Sequence, residues 1–400
     1  MVQAGSTNYC TRIVSDLATI GAARWNALLK HEAANPFVRH EFLQALQASG
    51  CVSERTGWEP HHLTLWSGTE LKAAAPLYRK HHSYGEYVFD WAWADAYQRH
   101  GLSYYPKLLT AVPYSPVTGP RLLTRRGHPD PAGLRRRLVQ LAVDTCAELQ
   151  LSSWHCNFVG AEDCAALEEA DLLPRQDWQF HWVNEGYSGF DDFLEQLRAR
   201  KRKSVRRERR QVEEAGIRFR WLRGCELGNP ELDFVQHCYG ETFRQYGNHA
   251  ALNREFFARL AGTLGDGLCV AIALRDQQPL AMSLYLQGGG RLYGRYWGCL
   301  EQVPGLHFET AYYQGIEFCI ANGIGVFESG AQGEHKISRG FRPAATHSFH
   351  YLREAAFREP IARYLRQEKV WMLEYREQLA EHDPFRHDPL RHDPFRSESA

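Results

Sequence analysis

Two stretches of this chain spell out the same plan. Residues 62–93 contain AAAPLY (residues 73–78) followed by YVFDWAW (residues 87–93), and residues 269–299 contain LAMSLY (residues 280–285) followed by LYGRYWG (residues 292–298). In each, an alternating run meets a polar turn (residues 67–70 or 275–278), then a small-residue run, a second turn and an aromatic run. That is the pattern of an antiparallel meander, and its recurrence marks an internal duplication. Helical spacing precedes both copies, at residues 24–49 and 231–264. The expected fold is therefore α+β, one unit built twice, and a length of 400 residues suits two cores better than one.

The first unit is assigned to residues 1–185, closing with a helix at 133–150 and strands at 152–158 and 179–183. The second is assigned to residues 186–380, ending in a helix at 360–379. It opens on an apolar stripe (Phe190, Phe193, Leu194, Leu197) that runs into a basic helix at 198–212, where nine of the thirteen residues 198–210 are Lys or Arg. Nine such positions cover every side of a helix, so Glu208, Glu213 and Glu214 cannot pair them all, and an anionic neighbour is expected. The last stretch, 381–400, carries three copies of one pentapeptide (HDPFR, HDPLR, HDPFR). Its recurring prolines predict a disordered tail or docking peptide.

With 44% apolar and only 24% charged residues the chain is globular rather than disordered, and with 47 basic against 47 acidic residues no global field selects a polyanion. Any such affinity must be local. Ten cysteines without a CxxC pair predict reduced thiols and no metal site. No window reaches the roughly 18 apolar residues of a membrane span, so a cytoplasmic location is the expectation.

Polar groups gather at residues 294–341, which read as strand, Gly-containing loop, helix, short strand (326–328) and a polar loop (329–341). A loop entering a helix presents backbone amides to a phosphate. Glu328 and His335 are the candidates for base or proton relay, and Lys336 and Arg339 for holding an oxyanion or an acceptor's anionic groups. Arg295 and Tyr296 on the aromatic strand, Glu309 in the helix, and Asp90 and Trp91 on the corresponding strand of the first unit are candidate substrate contacts.

At Gln302, Gly305 and His307 the chain resembles the acetyltransferases of the GNAT superfamily, whose pyrophosphate loop has Gln or Arg, then Gly, then Gly or Ala before a helix. The resemblance implies cofactor contacts at Gln302, Gly305, Leu306 and His307, with His307 standing where the family keeps little side chain. More widely, over most of residues 30–370, the chain resembles the Fem-type peptidyltransferases and in particular the FemAB-like predicted N-acyltransferases. The basic helix with Gly216, the segment FESGAQGEHKISRGFR (residues 327–342), and the spellings YGRYWG, LHFE and YYQGI carry it. The resemblance implies two tandem GNAT-like units with mixed, largely antiparallel sheets flanked by helices, and transfer of an acyl or aminoacyl group to an amine acceptor such as a cell-wall precursor. Its donor is a co-substrate, acyl-CoA or aminoacyl-tRNA, and no cofactor is tightly bound. The basic helix, residues 198–210, would face tRNA or another anionic surface. The alternatives are a non-catalytic binding or recognition protein on the duplicated fold and, third, a nucleic-acid-binding protein.

Overall fold

A computed structural model describes residues 9–30, 35–245, 247–330 and 333–386. Its contacts divide the chain into two compact units, residues 1–177 with 346–369 and residues 178–345 with 370–400. The chain thus returns to the first unit after completing the second. The boundary expected at 185/186 carries no sign of that return, because nothing local marks residues 346–369 as partners of a strand two hundred residues earlier.

In the first unit the order is β1 (Cys10–Val14), α1 (Ala22–Asn26), α2 (His40–Ala48), β2 (Trp58–Pro60), β3 (His62–Ser67), β4 (Glu70–Ala75), β5 (Leu77–Lys80), α3 (Trp91–Arg99), β6 (Lys107–Thr110), β7 (Leu123–Thr124), α4 (Pro131–Glu148), β8 (Ser153–Cys156) and α5 (Ala161–Glu169). β1, β3, β4 and β7 form an antiparallel sheet. β6 pairs antiparallel with β5 and parallel with β8. The amphipathic α4 lays Leu134, Leu138, Val139 and Ala142 on Leu63, Leu65, Ala73 and Trp154, and each such side chain withdrawn from water contributes about 1.5–3 kcal/mol.

In the second unit the order is β9 (Leu173–Val183), α6 (Phe190–Gln196), α7 (Ala199–Glu214), β10 (Ile217–Arg223), α8 (Asn229–Gln245), α9 (Arg254–Leu264), β11 (Leu268–Arg275), β12 (Gln278–Gly288), β13 (Arg291–Cys299), α10 (Leu306–Phe308), a π-helical turn (Glu309–Tyr313), α11 (Gln314–Ala321), β14 (Val326–Glu328), β15 (Arg342–Leu352) and α12 (Ala355–Glu381). β9 begins, and β15 and α12 end or begin, in the first unit. β10 to β13 form an antiparallel meander; β14 adds parallel to β13, and β9 antiparallel to β14. A meander, a strand, a helix and then a strand parallel to the one before the helix thus occurs in both units. The fold is α+β with two tandem GNAT-like units, as the sequence implied.

Two expectations are corrected. Residues 91–99 are the helix α3, so Asp90 and Trp91 do not lie on a strand. The alternation of 87–93 loses to the i, i+4 pair Trp93 and Tyr97, which buries a helical stripe against Phe357 and Ile361. The counterpart of residues 292–298 is β6, which the duplicated spelling did not reach. The tail is also ordered where it begins: residues 382–386, the first pentapeptide copy, are docked, with Phe385 only 3% exposed. Residues 387–400 lie outside the described residues. All ten cysteines are free thiols.

Candidate functional site

β13 carries the irregularity on which the site rests. Leu284 faces Tyr296 and Tyr285 faces Gly294, so Arg295 is the extra residue of a β-bulge. A bulge bends its strand and re-aims the extra side chain. β13 and β14 pair in parallel only through Arg291, Leu292 and Tyr293 opposite Val326, Phe327 and Glu328. β14 therefore stops pairing beside the bulge, and the chain passes from Glu328 into the polar loop.

Glu328 is buried beside two arginines and a histidine. Arg291 Nη1 donates to its Oε1 at 2.9 Å, and Arg295 Nη2 and His181 Nε2 lie 3.8 and 3.9 Å from Oε2. Burial above all, and then the neighbouring positive charges, holds the His181 pKa below its ordinary value despite Glu328. Oε2 of Glu328 and Oγ of Ser329 are buried without a hydrogen-bond partner among the described residues. Such atoms are costly unless something meets them.

Lys336 sits in a short 3-10 helix, Glu334–Arg339. Its side chain is buried, donates from Nζ to the Gly330 carbonyl at 2.8 Å, and makes no ion pair among the described residues. Burial, reinforced by the Arg295 charge, pushes its pKa down to about 7. A lysine so placed is half neutral near physiological pH and can accept a proton, the condition for a general base. Beside it, His335 at the solvent edge is hydrogen-bonded through Nε2 to Tyr312 Oη at 3.0 Å. Its pKa is lowered by partial burial and by the charges of Arg339 and Lys336.

The other basic member of the loop is committed elsewhere. Arg339 Nη2 donates to both Glu208 oxygens, at 2.9 and 3.0 Å, and its guanidinium lies 3.4 Å above the Phe308 ring centre. Glu208 also accepts from the Tyr313 hydroxyl. The next residue, Arg209, pairs with Glu309 at 3.1 Å and Glu317 at 2.8 Å. Glu309 is thus a partner of α7, with its carboxyl pKa raised by burial.

The loop before α10 is exposed at Gln302 and buried at Leu306. Gly305 takes a left-handed φ of 82° as the helix cap, and a Cβ there would stand 2.9 Å from the Glu208 carbonyl oxygen. Only glycine fits both demands, and α7 lies directly over it. His307 packs on Trp297 with ring centres 4.6 Å apart, and burial takes its pKa down to about 4. Tyr296 packs on Tyr239 and Phe257, among the helical side chains.

The second unit thus brings together Glu328, Arg295, Lys336, His335 and His307. Arg339 and Glu309 hold α7, and Tyr296 is a packing residue. In the first unit Asp90 is buried in an ion pair with Lys107 and accepts from Ser83 and Tyr104, each at 2.6 Å, while Trp91 is exposed. Sequence reasoning missed Arg291, His181, Ser329, Tyr312 and Trp297. For Arg291 a signal existed: it lies one residue outside the aromatic run, at the start of the strand that pairs with Glu328.

A FemAB-like family model, described as peptidoglycan biosynthesis/recognition, matches residues 16–387. No curated protein matches the chain by sequence. Among solved structures, FemX superposes with a TM-score of 0.52 at 10% identity, covering 86% of this chain and 98% of that one. The C-terminal domain of a putative lysylphosphatidylglycerol synthetase from Agrobacterium fabrum gives 0.52 at 8% identity, covering 89% and 97%. At such identities these likenesses speak for the fold. The family match spans nearly the whole sequence, and the chain belongs to the FemAB-like peptidoglycan biosynthesis/recognition family.

Proposed function

We propose that this chain is a Fem-type N-acyltransferase that moves an aminoacyl group from an aminoacyl-tRNA to an amine, with Lys336 as the general base. The observation that carries the reading is Lys336 itself: a buried amine without an anionic partner among the described residues, near neutrality, beside Arg295 at the end of β14. In the reaction the acceptor nitrogen attacks the ester carbonyl and a C–N bond forms. Nζ of Lys336 takes the proton released from that nitrogen. The carbonyl oxygen becomes an oxyanion facing the Arg295 guanidinium. Collapse breaks the bond to the leaving oxygen, which takes the proton from Lys336.

The basic helix supports the donor. Of its cations, Arg206 pairs with Asp191 and Arg209 with Glu309 and Glu317. Arg200, Lys201, Arg202, Lys203, Arg207 and Arg210 make no ion pair among the described residues, which suits a nucleic-acid backbone. The cover that α7 places on Gly305 disfavours a pyrophosphate there. The family description supports a cell-wall precursor amine as acceptor, and a tRNA donor implies the cytoplasm. A second reading, acyl-CoA as donor, has one observation in its favour: Gly305 caps a helix whose first amides follow an exposed loop.

The test offers the full chain bulk aminoacyl-tRNA and acetyl-CoA together with an extract of amine-bearing cell-wall precursors, and follows transfer of labelled acyl groups. Transfer from tRNA is expected, about 10²-fold or more slower in Lys336→Ala. Charge reversal at Arg200, Lys203, Arg207 and Arg210 is expected to weaken tRNA binding and flatten its salt dependence. Full-rate transfer by Lys336→Ala refutes the base, and transfer from acetyl-CoA alone refutes the donor.

A further inference from the structure

The pentapeptide at the end of the chain occurs three times, and the first copy is held in the second unit by contacts that can be named. Asp383, two residues past the end of α12, accepts the Phe385 amide at 3.2 Å through its side chain, folding the peptide into a tight turn. Pro384 offers its carbonyl to the Arg198 amide at 2.8 Å, and the Arg386 amide donates to the Gln196 carbonyl at 2.9 Å. Between them Phe385 bridges to Leu197 in antiparallel register, and its own carbonyl accepts from Arg198 Nε at 3.0 Å. The Phe385 ring enters the core of the second unit beside Phe193, with the Arg342 guanidinium 4.2 Å above it. A Cβ on Gly340 would come 2.7 Å from the Phe193 ring and 3.5 Å, an ordinary contact distance, from the Phe385 ring, so the glycine leaves room for Phe193, on which Phe385 packs.

Every one of these contacts comes from the backbone or from Asp, Pro and Phe. The groove therefore meets the peptide's backbone and its Phe ring, on a turn that the Asp side chain closes, and none of these contacts belongs to one position in the chain. Residues 392–396 are His-Asp-Pro-Phe-Arg again, whereas residues 387–391 put Leu390 where the ring belongs. We propose that the groove formed by the α6–α7 junction, Gly340 and Arg342 is a docking site for this pentapeptide, and that residues 392–396 of the same chain are its second occupant, taking the groove when the first copy leaves. The intervening ten residues span the return easily, since lengthening a loop adds little closure entropy. Because the groove joins the end of the site loop to the start of the basic helix, either occupant braces both.

The experiment compares four full-length proteins, wild type, Phe385→Ala, Phe395→Ala and the double variant, by thermal unfolding and by hydrogen exchange of the Arg198 amide. The double variant is expected to lose on the order of ten degrees in Tm, from emptying an aromatic pocket, and to lose protection at Arg198. Phe385→Ala alone is expected to keep most of both, because the third copy replaces the first, and Phe395→Ala to behave as wild type. A Phe385→Ala protein as damaged as the double variant overturns the proposal, as does a double variant indistinguishable from wild type. Recovery accompanied by dimerisation overturns the same-chain assignment in favour of a neighbour's tail.

Discussion

Replacing Lys336 with methionine is expected to stabilise the protein while abolishing transfer. The unfolded chain protonates this lysine with the ordinary pKa of 10.5, and the folded chain with a value of about 7. At about 1.36 kcal/mol per unit, keeping the buried ammonium protonated costs the fold up to about 5 kcal/mol at acid pH. The direction follows from proton binding. Between about 7 and 10.5 the unfolded state holds the extra proton, so the wild type gains stability as pH rises through that window. Methionine fills similar space without charge and gives up one hydrogen bond to Gly330, about 1 kcal/mol. Its net advantage is therefore about 4 kcal/mol at a pH near 6, falling to nothing or a slight loss near pH 10. Lys80, also pushed down to about 7 by burial, adds a slope of its own to both proteins, so the difference between them is the quantity to read. Denaturant unfolding of both at the two pH values measures it. An advantage that does not shrink with rising pH refutes the claim that Lys336 is held near neutrality. A variant stabilised and still active refutes its role as base.

Two further outcomes are expected. Glu208→Gln keeps the shape but leaves the Arg339 guanidinium, 8% exposed, without its carboxylate. A loss of about 2–4 kcal/mol should appear as a lower Tm and, because α7 loosens from the site loop, as weaker tRNA binding. Lys107→Met in the first unit strands two buried carboxylates, Asp90 and Glu86, the latter 2.8 Å from the lysine. A loss of about 3–5 kcal/mol is expected at pH near 8. It should be smaller near pH 5, because Glu86, lifted to about 7 by burial, then takes up a proton. Unfolding curves at the two pH values decide.

What the sequence disclosed was what local patterns can carry. The meander at residues 269–299, the short strand at 326–328 and the basic helix ending near Gly216 all appear as read, because alternation, helical spacing and glycine stops are properties of neighbouring residues. The reading of residues 87–93 failed where two patterns overlapped, and Tyr97 settled the competition from outside the window. In the site, the sequence pointed to the loop holding Lys336 but not to what each charge does. Arg339 and Lys336 are three residues apart and equally basic. One is neutralised by Glu208, 131 residues away in sequence, and the other, among the described residues, meets a carbonyl and the Arg295 charge without an ion pair. Those fates depend on long-range packing, and the bulge that re-aims Arg295 is a register slip that no single strand's sequence spells.

The basic helix shows how the same packing narrows the choice of donor. Had α7 been only a solvated charged helix, Glu208 would have paired within the helix; instead it reaches out to Arg339 and Tyr313, and Arg209 to Glu309 and Glu317. These ties fix the helix against α10, and its backbone closes over Gly305. The same rotation that brings Glu208 and Arg209 inward leaves Arg200, Lys203, Arg206, Arg207 and Arg210 facing water. Their charges repel one another along a single helix, so leaving them together weakens the fold unless an anion compensates. A diphosphate has two charges to offer and would need the position that Glu208 covers. A nucleic-acid strand presents a row of phosphates to the outer face and needs nothing from Gly305, so one helix disfavours the first ligand at this loop and suits the second.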